Sequence, residues 1–208
     1  HSRCAMSSSP EQALKALIAS QPAEHRPWLQ LTALLEQSGK LTEAEDFYRQ
    51  LIEQLPELPV ARFDFACFLR RRGRLEEALL QHQKALDLGI DQPEEVLSNI
   101  GVIHTELRRD ADARAHLERA LAIRPTYLPA MFNLALLHEE LGDLPRALEL
   151  FGRILDQDPA WHDAVDARER HEPPLVHRRG VRHQRQRRVP GGLVQQPERE
   201  RELHGQRD

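Results

Sequence analysis

His104 and His138 stand 34 residues apart, and His82 precedes them, in a chain that holds eleven histidines. Histidine takes up a proton near neutral pH or binds a metal through a ring nitrogen. A zinc-type centre needs three or four ligands converging in fixed geometry. The spacing that relates His104 to His138 places no carboxylate or cysteine to complete such a set. The two are therefore expected to be interior histidines held by hydrogen bonds, with His82 near His104. Nucleophilic chemistry has still less support. The chain has two cysteines, Cys4 and Cys67, which excludes a disulfide framework. Cys67 is expected to be a small packed thiol. There is no HExxH and no phosphate-cradling glycine loop, and the PGG at Pro190 follows no strand. No serine or cysteine sits in a recognisable nucleophile signature. Catalytic residues, a bound metal and a cofactor are all expected to be absent.

The elements that carry these residues are set by a period. Gly39, Gly73 and Gly142 each precede a charged residue and a leucine, as GKL, GRL and GDL, and Gly39 and Gly73 are 34 apart. Alanine follows each glycine by five residues, at Ala44, Ala78 and Ala147, and Ala113 fills that place where Arg108 replaces the glycine. Pro56, Pro125 and Pro159 close three blocks, with Ile90 in that role once. Four blocks result, 25–58, 59–92, 94–127 and 128–161, with Pro93 as one inserted residue. Apolar residues recur three and four apart inside each, the signature of amphipathic helices. Glycine suits a helix C-terminus and proline cannot continue a helix, so each block reads as helix–turn–helix.

The pattern resembles the tetratricopeptide repeat family, sketched as W-x2-L-G-x2-Y, then A-x3-F, then P. The first block carries it as Trp28, Leu31, Thr32, Leu35, Ala44, Tyr48 and Pro56. Later blocks repeat it through Ala66, Gly101 and Ala135, and through Ala78, Ala113 and Ala147. The resemblance implies an all-α fold, a right-handed α-solenoid, with His104 and His138 where the family has tyrosine. It also implies a concave groove lined by the first helix of each unit. Mapped onto this chain, the groove holds Leu29, Gln30, Ala33, Phe63, Asp64, Cys67, Asn99, Val102, Phe132, Asn133 and Leu136. A polar ladder of Gln30, Asp64, Asn99 and Asn133 within an apolar track suits an extended peptide, because amides both donate and accept. Members that capture acidic chaperone tails use a clamp of Lys, Asn and Arg. Here those places hold Leu29, Ala33, Asp64 and Glu95, and only Asn99 matches, so that ligand is not expected. Arg70 and Arg71 also point to the groove, in a basic cluster that suits a helix C-terminus.

Composition sets the borders. Residues 1–161 hold 18 Lys and Arg against 25 Asp and Glu, and residues 162–208 hold 11 against 8. Aromatics are 5% of the chain, so burial rests on Leu and Ala. Residues 1–9 are expected to be disordered, 10–22 to form an N-terminal capping helix, 25–161 the four units and 162–171 a capping helix. From 172 to 208 a basic, disordered tail is expected. It could be a nucleic-acid arm, a linker to a further domain, or a stretch translated out of frame. The last is favoured, because the break falls inside a helix already in register. That tail is the only feature with any attraction for nucleic acid. No membrane span and no secretory signal are evident, so a cytoplasmic setting is expected. The expected function is a scaffold that binds a protein or peptide segment. The alternative is an N-terminal module of a larger enzyme of the sulfotransferase or glycosyltransferase kind.

Overall fold

Turn glycines and closing prolines dictate where most of the helices stop. The computed structural model describes residues 8–171, and these form ten α-helices with, among the described residues, no strand. They are α1 (Pro10–Ser20), α2 (His25–Gln37), α3 (Leu41–Gln54), α4 (Pro59–Arg71), α5 (Leu75–Asp87) and α6 (Pro93–Glu106), followed by α7 (Asp110–Ile123), α8 (Leu128–Glu140), α9 (Leu144–Gln157) and α10 (His162–His171). Helices α2 with α3, α4 with α5, α6 with α7 and α8 with α9 pair as helix–turn–helix units of a right-handed α-solenoid. Residues 1–7 and 172–208, which include Cys4 and the basic tail, lie outside the described residues.

Within each pair the turn is the same. Gly39, Gly73 and Gly142 take φ of +73°, +75° and +79°, and Arg108 takes +61° in the third turn. The residue after each donates its backbone N–H to a carbonyl five residues back, as in Lys40 to Leu35 at 2.9 Å and Arg109 to His104 at 2.9 Å. The third turn thus keeps the bonding that ends the other first helices, although an L side chain is strained in this region.

Between pairs the connections differ. Residues 55–58, 124–127 and 158–161 each bridge in four residues and contain proline, whereas 88–92 bridges in five without one. Helix α5 ends instead on Gly89, at φ +77°. Pro93, set down as an insertion between blocks, is the first residue of α6, so the extra length falls in the connector before it.

Packing depends on small residues where paired helices meet. Ala44, Ala66, Ala78, Ala113, Ala135 and Ala147 are wholly buried, and Thr32 almost so. At Gly101 a β-carbon would lie 2.6 Å from Leu117 Cγ and 3.3 Å from the Ala113 carbonyl oxygen. The core runs as two clusters, Ile18 to Ala78 with Ile103, and Leu97 to Ala167 with Leu86 packed against it. Helix α6 supplies Ile103 to one and Leu97 to the other. At the ends, α1 buries Ile18 but leaves Leu17 46% exposed, and α10 buries Ala164 and Ala167.

The two mid-helix glycines should respond to alanine with opposite signs. Nothing approaches a β-carbon at Gly152, so Gly152→Ala should raise stability by about 0.5–1 kcal/mol. Gly101→Ala gains the same propensity but must displace buried Leu117, at an overpacking cost of about 1–3 kcal/mol, and should lower the urea midpoint. Arg108→Gly should raise that midpoint by relieving about 1 kcal/mol of left-handed strain. Equal shifts for the two alanine variants, or no gain from Arg108→Gly, would contradict this account.

Candidate functional site

The face formed by α2, α4, α6 and α8 collects the residues that the repeat spacing singled out. Leu29, Phe63, Asp64, Cys67, Asn99, Val102, Phe132, Asn133 and Leu136 are half-buried, while Gln30, Ala33, Arg70 and Arg71 are exposed. Amides on neighbouring units reach to the first helix of the preceding unit. Asn133 Nδ2 donates to Ser98 Oγ at 3.4 Å, and Asn99 Nδ2 lies 3.9 Å from Cys67 Sγ. The side-chain carbonyls of both amides accept no hydrogen bond among the described residues. Cys67 is a free thiol whose pKa is pushed up to about 11 by burial, which disfavours the nucleophilic thiolate.

Charge on this face is organised between units. Arg71 donates to Glu36 Oε2 at 2.6 Å, and Glu36 also accepts the Tyr48 hydroxyl at 2.8 Å. Arg70 pairs with Glu106 on the following unit, and Glu139 binds both Arg170 and His171 of α10. Arg70 and Arg71 are thus engaged by their neighbours, not free for an acidic ligand. These partners sit 31 to 36 residues apart, close to the repeat length, a spacing of acid and base not used in the sequence analysis.

Asp64 breaks the pattern. Neither a hydrogen bond nor an ion pair reaches its carboxylate among the described residues. Burial, with the negative charges of Glu36 and Glu95 and against the opposing charge of Arg71, raises its pKa to about 6. It lines a cavity of about 510 Å³ between the start of α4, the five-residue connector and the first turn of α6. Pro59, Val60 and Phe63 line it from α4, Ile90, Asp91 and Gln92 from the connector, and Glu95 from α6. Of these connector residues the repeat pattern marked only Ile90, in the place of the closing proline, although the extra length and missing proline set the connector apart.

The histidines correct one expectation. His138 is buried and His104 half-buried, but neither Nδ1 has a hydrogen-bond partner. His138 Nδ1 lies 3.6 Å from Asp143 Oδ2, and His104 stacks on His116 with centroids 5.1 Å apart. Ring packing and burial hold them, not the hydrogen bonds expected. His82 is wholly buried with both nitrogens unpartnered, and its ring meets the edge of Phe63 at 5.5 Å. Burial, with a smaller contribution from Arg70, holds its pKa down to about 4.

Among the described residues, no helix is long and apolar enough to cross a membrane. Comparison with known proteins then locates the fold. Residues 92–160 match the family model described as tetratricopeptide repeat. The crystal structure of YrrB, described as a TPR protein with an unusual peptide-binding site, superposes with a TM-score of 0.60 at 23% identity, covering 74% of this chain and 79% of that one. Protein O-mannosyl-transferase TMTC3 of Homo sapiens is 28% identical over 118 residues, 56% of this chain and 13% of that protein. An uncharacterized protein, ycf37 of Pyropia yezoensis, is 32% identical over 105 residues, 47% of this chain and 59% of that one. The chain therefore spans less than two thirds of either relative.

His82 generates a pH prediction. Its folded pKa lies below the ordinary 6.5, so its stabilising neutral state is fully favourable above that value and is lost as pH falls toward about 4. His82→Leu puts in the residue that Leu117 supplies one unit later. It should stabilise the fold, by about 2 kcal/mol more at pH 5 than at pH 8. Urea midpoints at the two pH values check this, and an equal gain at both would refute it.

Proposed function

We propose that this chain, a tetratricopeptide repeat protein, is a protein–protein interaction adaptor that holds an extended or helical segment of a partner along α2, α4, α6 and α8. The observation that carries the reading is the free carbonyl acceptors of Asn99 and Asn133, one unit apart, beside half-buried Phe63, Val102, Phe132 and Leu136. Free amide acceptors can take a backbone N–H, and the apolar positions lose water when a ligand covers them. The fold it shares with YrrB, described as carrying a peptide-binding site, supports this reading. A cytoplasmic setting belongs to the proposal. Catalysis by this chain, a cofactor, a membrane and a nucleic-acid partner do not.

A second reading has one observation in its favour. The match to an O-mannosyl-transferase over 13% of that protein fits an array that serves as the accessory module of a larger enzyme. In that case the same helix face would hold a segment of the enzyme's substrate or of another subunit.

Chemical cross-linking of the full chain in lysate from its own source, followed by mass spectrometry, tests the adaptor reading. Cross-links should fall on the first helices, and Phe63→Ala with Asn133→Ala should deplete the partner without loss of helical circular dichroism. Leu80→Ser, on the outer surface where Leu80 is 52% exposed, should leave it. Depletion by Leu80→Ser alone would move the interaction to the outer surface and sink the groove reading.

A further inference from the structure

The cavity beside Asp64 has a chemical preference that the repeat pattern does not predict. Three carboxylates line it, Asp64, Asp91 and Glu95, with no Lys, Arg or His among its walls. None of the three is paired among the described residues, although acids elsewhere on the same face, Glu36, Glu106 and Glu139, each hold a cation. Asp91 and Glu95 flank the first turn of α6, where negative charge is favoured by the helix dipole. Asp64 has no such reason. It is the sixth residue of α4, beyond the first turn, and is half-buried without a partner.

A charge in that position calls for a cation. A bare metal ion does not fit, because among the described residues no three His, Cys, Asp or Glu are placed to hold one. The apolar wall of Val60, Phe63 and Ile90 instead suits a cation carried on a hydrocarbon stem. Long basic side chains bury their methylenes against such surfaces and keep the charged head at a polar rim.

We propose that this cavity receives a lysine or arginine side chain of the partner segment, its stem on Phe63 and Val60 and its head on Asp64 and Glu95. The inference rests on the adaptor reading and names the chemistry of its ligand. The segment would run along the first helices and place one basic residue at the junction of the second and third units.

Selection of a displayed library of random peptides on the full-length chain tests this. Selected peptides should be enriched in Lys or Arg next to an apolar residue. Asp64→Asn with Glu95→Gln should weaken them about tenfold, the loss of one charge pair. Replacing the basic residue by glutamine should cost the same, and the two changes together should cost little more. Selected peptides without basic enrichment, or indifferent to Asp64→Asn with Glu95→Gln, would overturn the inference. If those peptides still depend on Phe132 and Asn133, the adaptor reading survives. Failure to select any peptide, or peptides indifferent to every first-helix substitution, would overturn both.

Discussion

One constraint governs this molecule: a pair of short helices cannot cover its own apolar face. Each unit must therefore lend a surface to the next, and stability becomes a sum of interfaces between neighbours. The close approach that makes the units stackable comes from wholly buried alanines and from Gly101, where even a β-carbon would collide with Leu117. Because the same small residues recur, the approach is repeated from unit to unit, and every first helix is presented on one face. That face is a by-product of the stacking before it is a binding surface.

Charge follows the same logic. The repeat carries a net excess of acid, and three acids on the first-helix face, Glu36, Glu106 and Glu139, are each paired with an arginine of the neighbouring unit or of α10. Such exposed pairs add little stability individually. Their effect is on what remains available: exposed Arg70 and Arg71 are held by Glu106 and Glu36, so this face presents unpaired amide acceptors and apolar area more than free positive charge.

The turns, the alanines and the pairing of helices were all legible in the sequence, because each depends on a single residue type at a fixed place. Arg108 illustrates the limit of that legibility. It was recognised as a glycine substitute, and the backbone still takes the left-handed turn because the bond from Arg109 to His104 holds it there. The side-chain partners were less legible. Hydrogen bonds for His104 and His138 were inferred from the tyrosine they replace, but an imidazole is shorter and bonds in a different direction. Packing took the place of bonding. Arg70 and Arg71 looked free for a ligand because spacing along a helix shows a residue's face and not the reach of the glutamate on the next unit. The cavity was missed because it arises from one extra residue in a connector, a change in length and not in motif.

That extra residue bears on recognition. An exact repeat offers a ligand the same surface every 34 residues, so an extended chain could shift by one unit with little cost. Only a departure from the repeat can fix where the ligand sits. The five-residue connector before α6 is such a departure, and the unpaired Asp64 lies against it. His82 departs from the pattern nearby, buried without a bond behind Phe63, but its cost has a structural origin, since any residue at that place must fill the gap between paired helices. Asp64 fills no gap and satisfies no neighbour. On the adaptor reading, Asp64, a half-buried carboxylate unpaired among the described residues and set against the five-residue connector, is where the regular scaffold would acquire an address.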